Sequence, residues 1–300
     1  MFASASSAAR IARGALARSV MTAPPRGLAA AGRMRLRRSF AVGAQAQDKR
    51  VSIHPYFTVP KENMEQFKAL FDDFYACVDN EPACHYYGFT VNEEDGVVFN
   101  REIYDNAEGL LNHIENTAVP GGKAGPLCSN VRLEIHGPKE ELEKPALVEK
   151  AKEIGASMFI TDESGFTSQM MSTGVPDTSV SIHPYFHVSP DKWDKFMAVH
   201  PEYVKLVKAN EPKCHQYCFS YNKEDGIVFN RESYVDADAL LNHIDNTKPA
   251  NELADGLFDK VDLEIHGPAS ELEKLQDVAK EIGAKLFVAD PNSRVYKNKP

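Results

Sequence analysis

Histidine, tyrosine, asparagine and glutamate recur in this sequence at every second position of short extended segments. Val51 to Val59 alternates, with Ile53, Pro55, Phe57 and Val59 on one side and His54 and Tyr56 on the other. With the apolar side of each strand assigned to packed helices, the opposite side carries His54 and Tyr56, then Asn100, Glu102 and Tyr104, then Glu134 and His136. A second set consists of His183, Tyr185, Asn230, Glu232, Tyr234, Glu264 and His266. Imidazoles, phenols, carboxylates and amides together suit the binding of a phenolic or quinoid ligand and the movement of its protons. The same face also reads as polar sheet surface or as a hydrogen-bonded seam. Arg101 and Arg231 fall on the apolar side of their strand and are expected to pair with helix acids.

His113 and His243 sit in Leu-Leu-Asn-His-Ile segments. At about 100° per residue, each ring falls at the rim of the apolar helical stripe, where it can enter a pocket or bond a neighbour. Histidine is the side chain suited to proton exchange near neutral pH. No HxH or HExxH spacing supports a metal, and His54, Glu134 and His136 converge only if their strands are adjacent. No metal ligands are therefore assigned. A phosphate loop, a dinucleotide fingerprint and a nucleophile elbow are also missing.

The elements that must position these residues occur twice. Val51-Ser52-Ile53-His54-Pro55-Tyr56-Phe57 returns at 180–186, Asn80-Glu81-Pro82 at 210–212, and Leu133-Glu134-Ile135-His136-Gly137-Pro138 at 263–268. A period of roughly 130 residues is far beyond a solenoid repeat, so each copy is a small domain. Each copy reads β-α-β-β-α-β-α-β. Asp95-Gly96 signals a hairpin between strands at 84–92 and 97–104. Asp105 and Asp236 are expected helix caps, and 118–130, rich in Gly and Pro, reads as loop. One extra residue near His200-Pro201 predicts a kink in the second copy's long helix. The expected fold is α+β: tandem ferredoxin-like domains whose antiparallel sheets cover each other. The expected divisions are a leader at 1–47, domains at 48–161 and 180–290, a linker at 162–179 and a tail at 291–300.

The chain has 300 residues, with 34 basic against 43 acidic side chains and a net charge of −9. Residues 1–47 hold eight arginines and no acid, the composition of an organelle transit peptide; Arg38-Ser39-Phe40 resembles a mitochondrial processing site. A mitochondrial destination is expected, with a plastid as the alternative. Without the leader, 26 basic residues face 43 acidic ones, a net charge of −17 that disfavours nucleic acid as a partner. No apolar run reaches the length of a membrane span. Five cysteines without a CxxC read as small buried side chains rather than a disulfide framework.

The pattern Glu81-Pro82, Cys84, Tyr87, Glu102, Tyr104, His113, repeated as Glu211-Pro212, Cys214, Tyr217, Glu232, Tyr234, His243, resembles the antibiotic biosynthesis monooxygenase-like family of dimeric α/β barrels. The resemblance spans about 51–136 and 180–266 and implies a fused pseudo-dimer, with further homo-oligomerisation open. It implies oxidation of a quinol or phenolic aromatic with O2 and no cofactor. His113 and His243 would be base or orienter, with Asn100, Tyr104, Asn230 and Tyr234 holding the ligand. Non-enzymatic binding of a small aromatic, and haem or metal binding on the same fold, are the alternative implications.

Overall fold

The computed structural model describes residues 50–167 and 179–295. The arginine-rich leader lies outside the described residues, as do 168–178 of the expected linker and 296–300 of the expected tail. The first copy runs β1 Val51–Thr58, α1 Met64–Lys68, α2 Phe71–Val78, β2 Cys84–Asn92, β3 Val97–Tyr104, α3 Ala107–Asn116, α4 Ala118–Ala124, β4 Asn130–Gly137, α5 Lys139–Leu142, α6 Pro145–Ile154, β5 Ser157–Thr161 and β6 Phe166–Thr167. The second runs β7 Ser181–His187, α7 Trp193–Asn210, β8 Cys214–Asn222, β9 Ile227–Tyr234, α8 Ala237–Asn246, α9 Lys248–Ala254, β10 Lys260–Gly267, α10 Ala269–Ile282, β11 Lys285–Ala289 and β12 Arg294–Val295.

Ten of these strands close into one barrel, in the order β1-β3-β2-β11-β10-β7-β9-β8-β5-β4 and back to β1. The last long strand of each copy makes the closure. After its helical crossover, β5 lies parallel to β4 and then pairs antiparallel with β8 of the other copy. In the same way, β11 joins β10 to β2. The short strands β6 and β12 add to β8 and β2, so the expected linker and tail each contribute a strand.

At these two seams the side chains are exchanged. A Cβ on Gly88 would lie 2.8 Å from Ser293 Oγ, and one on Gly165 would lie 2.5 Å from Cys218 Sγ. Cys218 occupies in β8 the place of Gly88 in β2, and Ser293 the place of Gly165. Each seam therefore has one side chain and one glycine, on opposite partners.

Each copy buries an apolar core between its helices and the outer face of the barrel, and a third cluster, including Tyr56, Phe99, Phe159, Tyr185, Phe229 and Phe287, fills the barrel. Registers decide which strand faces look where. Tyr56 lies opposite Phe99, and His54 opposite Glu134, all facing inward; Ile53 lies opposite Glu102, facing the helices. The expected single polar face is thus divided. Asn100, Glu102 and Tyr104, with Asn230, Glu232 and Tyr234, look toward the helices. Arg101 and Arg231 point into the barrel, where they bond Gln216 and Ser52 of the opposite copy rather than helix acids.

The long helices of the two copies differ, and two local expectations change. The helix that contains Pro201 runs unbroken, whereas in the first copy the chain is interrupted between α1 and α2 by a tight turn, with Leu70 N–H bonded to Phe67 O at 3.0 Å. The one-residue difference between the copies falls later, at the end of the helix, where Glu81 N–H bonds Val78 O but Glu211 N–H bonds Val207 O. The segment 118–124 is helical, and Pro120 lies in its first turn, where no N–H is needed. Asn106, not Asp105, caps α3, accepting from Gly109 N–H at 3.0 Å, while Asp236 caps α8.

Candidate functional site

On the helix side of each sheet, a histidine is clamped between two glutamates. His113 meets Glu81 through Nδ1 at 3.0 Å and Glu102 through Nε2 at 3.0 Å. His243 meets Glu211 and Glu232 at the same two distances. The Asn-Glu-Pro turn before β2 or β8 supplies one carboxylate and the middle of β3 or β9 the other. Asn100 and Tyr104 each bond Glu102 at 2.8 Å; Asn230 and Tyr234 bond Glu232 at 2.8 and 2.7 Å. Burial opposes a charge on these rings, but the flanking carboxylates outweigh it and hold both His113 and His243 at about 9. Each ring is therefore an imidazolium at neutral pH, with both N–H groups donated. In this state it has no lone pair with which to accept a proton.

In the second copy this cluster ends a cavity of about 250 Å³ between the sheet and α7, α8 and α9. Asn230, Glu232 and His243 form its polar end, and Phe186, Phe219 and Phe258 contribute to an apolar body. Tyr203 and Asn251, bonded to each other at 2.8 Å, lie along the wall. The first copy has Phe74, Gly121 and Cys128 where the second has Tyr203, Asn251 and Phe258, so the walls differ while the clamps match.

The remaining expected ligand-binding residues lie inside the barrel. The Tyr56 and Tyr185 hydroxyls are 2.9 Å apart; Tyr56 donates to Glu264 and Tyr185 to Glu134, both at 2.8 Å. His136 Nδ1 pairs with Ser220 Oγ at 2.7 Å and His266 Nδ1 with Thr90 Oγ1 at 2.8 Å, each across the copies. His54 and His183 lie parallel, with centroids 6.5 Å apart. Burial, then the neighbouring imidazoles and guanidiniums, pushes His54 and His183 well below the usual histidine range. For His136 the causes are burial and Arg231 with Arg132. For His266 burial again lowers the value, partly offset by Glu264. These rings are neutral.

Of the sequence-derived candidates, His243, Asn230 and Glu232 line the cavity; His54, Tyr56, His136, His183, Tyr185 and His266 lie on the other side of the sheet. Glu81 and Glu211 stood out in the repeated Asn-Glu-Pro turn and in the family pattern, without a role of their own. Nothing in the repeat marks Tyr203, Asn251 or Phe258, because their counterparts differ.

No protein-family profile and no curated protein matches the sequence. Solved structures do match. A candidate monooxygenase from Fusobacterium nucleatum superposes with a TM-score of 0.55 at 13% identity, over 73% of this chain and 90% of that one. Another candidate monooxygenase, from Lactobacillus acidophilus, gives 0.51 at 12% identity, over 72% and 92%. Both alignments are longer than one repeat and so take in both copies. MupZ from Pseudomonas fluorescens is 37% identical over 38% of this chain and 90% of its own, with a TM-score of 0.35. The chain thus shares the fold of these candidate monooxygenases, an α+β barrel that it builds from two tandem copies in one chain.

Proposed function

We propose that the second copy binds a small phenolic or quinoid aromatic in the cavity beside His243 and oxidises it with O2. The observation that carries this reading is an apolar cavity of about 250 Å³ ending in a carboxylate, an amide and an imidazolium. In this reading Glu232 takes the proton from the bound hydroxyl or acidic C–H. Asn230 orients the ligand, and the His243 imidazolium stabilises the developing anion. The electron-rich anion then reduces O2. The role given to His243 by the family resemblance, base or orienter, thus becomes that of a charged partner, because both its ring nitrogens already donate.

The test is oxygen uptake by the full chain with a panel of hydroquinones and anthrones. Glu232→Gln should lower uptake by roughly 10²-fold or more, and Glu102→Gln should leave most of it. Equal uptake by Glu232→Gln and wild type would refute the assignment.

A second reading, binding without turnover, is favoured by the clamp itself. An imidazolium satisfied on both sides by buried carboxylates is a complete structural ion pair without any ligand. Saturable binding of a panel aromatic without oxygen uptake would establish that reading.

A further inference from the structure

We infer that the barrel interior contains a binding site for a divalent transition metal, formed by His183, Glu264 and His266 of the second copy. The site is on the opposite side of the sheet from the cavity and independent of it. Strands β7 and β10 are neighbours with His183 opposite Glu264, and one donor atom from each of the three residues lies within 4.8 Å of the others. His266 Nε2 is 3.3 Å from Glu264 Oε2. That separation is close to the one between two ligands of a tetrahedral ion with bonds of about 2.0–2.1 Å. Thr90 Oγ1 bonds the other nitrogen of His266, the support that aims a ligating imidazole.

A second, independent observation is the state of His183. It is 1% exposed, and its Nδ1 has no hydrogen-bond partner. A buried ring nitrogen left unpaired is costly, and a bound cation would satisfy a lone pair in this ring. Phe287 stacks on His266 at 4.5 Å, and Phe99 and Phe229 flank His183 at 5.4 and 5.5 Å. Two imidazoles and one carboxylate are a donor set for Zn2+, Co2+ or Fe2+ rather than for Mg2+ or Ca2+.

The first copy repeats the triple as His54, Glu134 and His136. There, however, Arg132 is ion-paired with Glu134 Oε1, so a guanidinium already takes one of the two oxygens of that carboxylate. In the second copy Asp262 stands where Arg132 stands in the first. Glu264 is also the more accessible carboxylate, 14% exposed against 4% for Glu134, which leaves a route for the ion. The chain is therefore expected to bind one ion, not two.

The test is titration of the metal-free, untagged full chain with Co2+, followed by visible absorption and calorimetric stoichiometry. The expected result is one Co2+ per chain. Affinity should fall at least tenfold in His183→Gln and Glu264→Gln and hold within about threefold in Glu134→Gln. Arg132→Met should raise the stoichiometry toward two. Imidazole nitrogen NMR of the wild type with Zn2+ needs no variant, and His183 and His266 should be the rings that shift. A folded wild type that binds no Co2+, a band that survives both second-copy variants, or zinc-dependent shifts confined to other histidines would each overturn the proposal.

Discussion

At the scale of single residues, the two clamped imidazoles govern the response to pH. A histidine raised to about 9 in the folded chain, against about 6.5 when unfolded, stabilises the fold fully below pH 6.5. That contribution fades as pH rises through 9. Thermal unfolding followed from pH 6 to 10 should show Tm falling across this window, and falling less steeply in His113→Gln and His243→Gln. Nitrogen NMR of His243 should show both ring nitrogens protonated at pH 7; a neutral ring would remove the charged partner from the proposed chemistry. The opposite case is Asp162. Burial raises its carboxyl, but bonds from His200 and Ser164 outweigh that and hold it at about 2, so its contribution is lost only as pH falls through that value.

The residue types of the candidate site were evident in the sequence, but their grouping was not. Alternation gives the two faces of one strand without saying which face of the next strand matches. In β3 the outward face carries Val98, Asn100, Glu102 and Tyr104, and the inward face carries Phe99, Arg101 and Ile103. In an open sheet the more apolar set would face the helices. In a closed barrel both faces are buried, so apolarity no longer distinguishes them.

At the scale of elements, the hairpin was readable because its chemistry is local. Gly96 has φ +66, and a Cβ there would lie 2.8 Å from Val59 O, so Asp95-Gly96 fixes both the turn and the bounds of β2 and β3. By contrast, α4 was hidden by Pro120, Gly121 and Gly122, residues that lower helix propensity without preventing a helix where packing supplies the stability. The seam strands were hidden for another reason, since two-residue strands have no periodicity. They nonetheless carry a testable load. Gly165→Ala should cost about 1–3 kcal/mol, because its Cβ would crowd both the thiol and the backbone of Cys218. Adding Cys218→Ala should recover only part of that loss, since the crowding against the backbone stays. Urea unfolding of the single and double variants measures both.

At the scale of the whole molecule, the repeat in the sequence announced two domains, but the structure joins them through one continuous sheet. Cooperativity should follow. Urea should unfold the chain in one transition seen alike by circular dichroism and by the fluorescence of Trp193. Two separated transitions would mean that the copies are stable apart. The long-range pairings of β5 with β8 and β11 with β2 could not be read from either repeat alone, because each is specified only by the other.

The exchanged glycines at the seams bear on how such a chain avoids assembling with the wrong partner. Two first copies brought together would set Gly88 against Gly165 and leave a gap at each seam. Two second copies would set Cys218 against Ser293 and overfill it. At these positions unlike halves fit and like halves do not, the packing of a heterodimer carried in one chain. Residues 48–179 and 180–300 produced as separate tagged polypeptides should recover each other on co-purification and show little self-association.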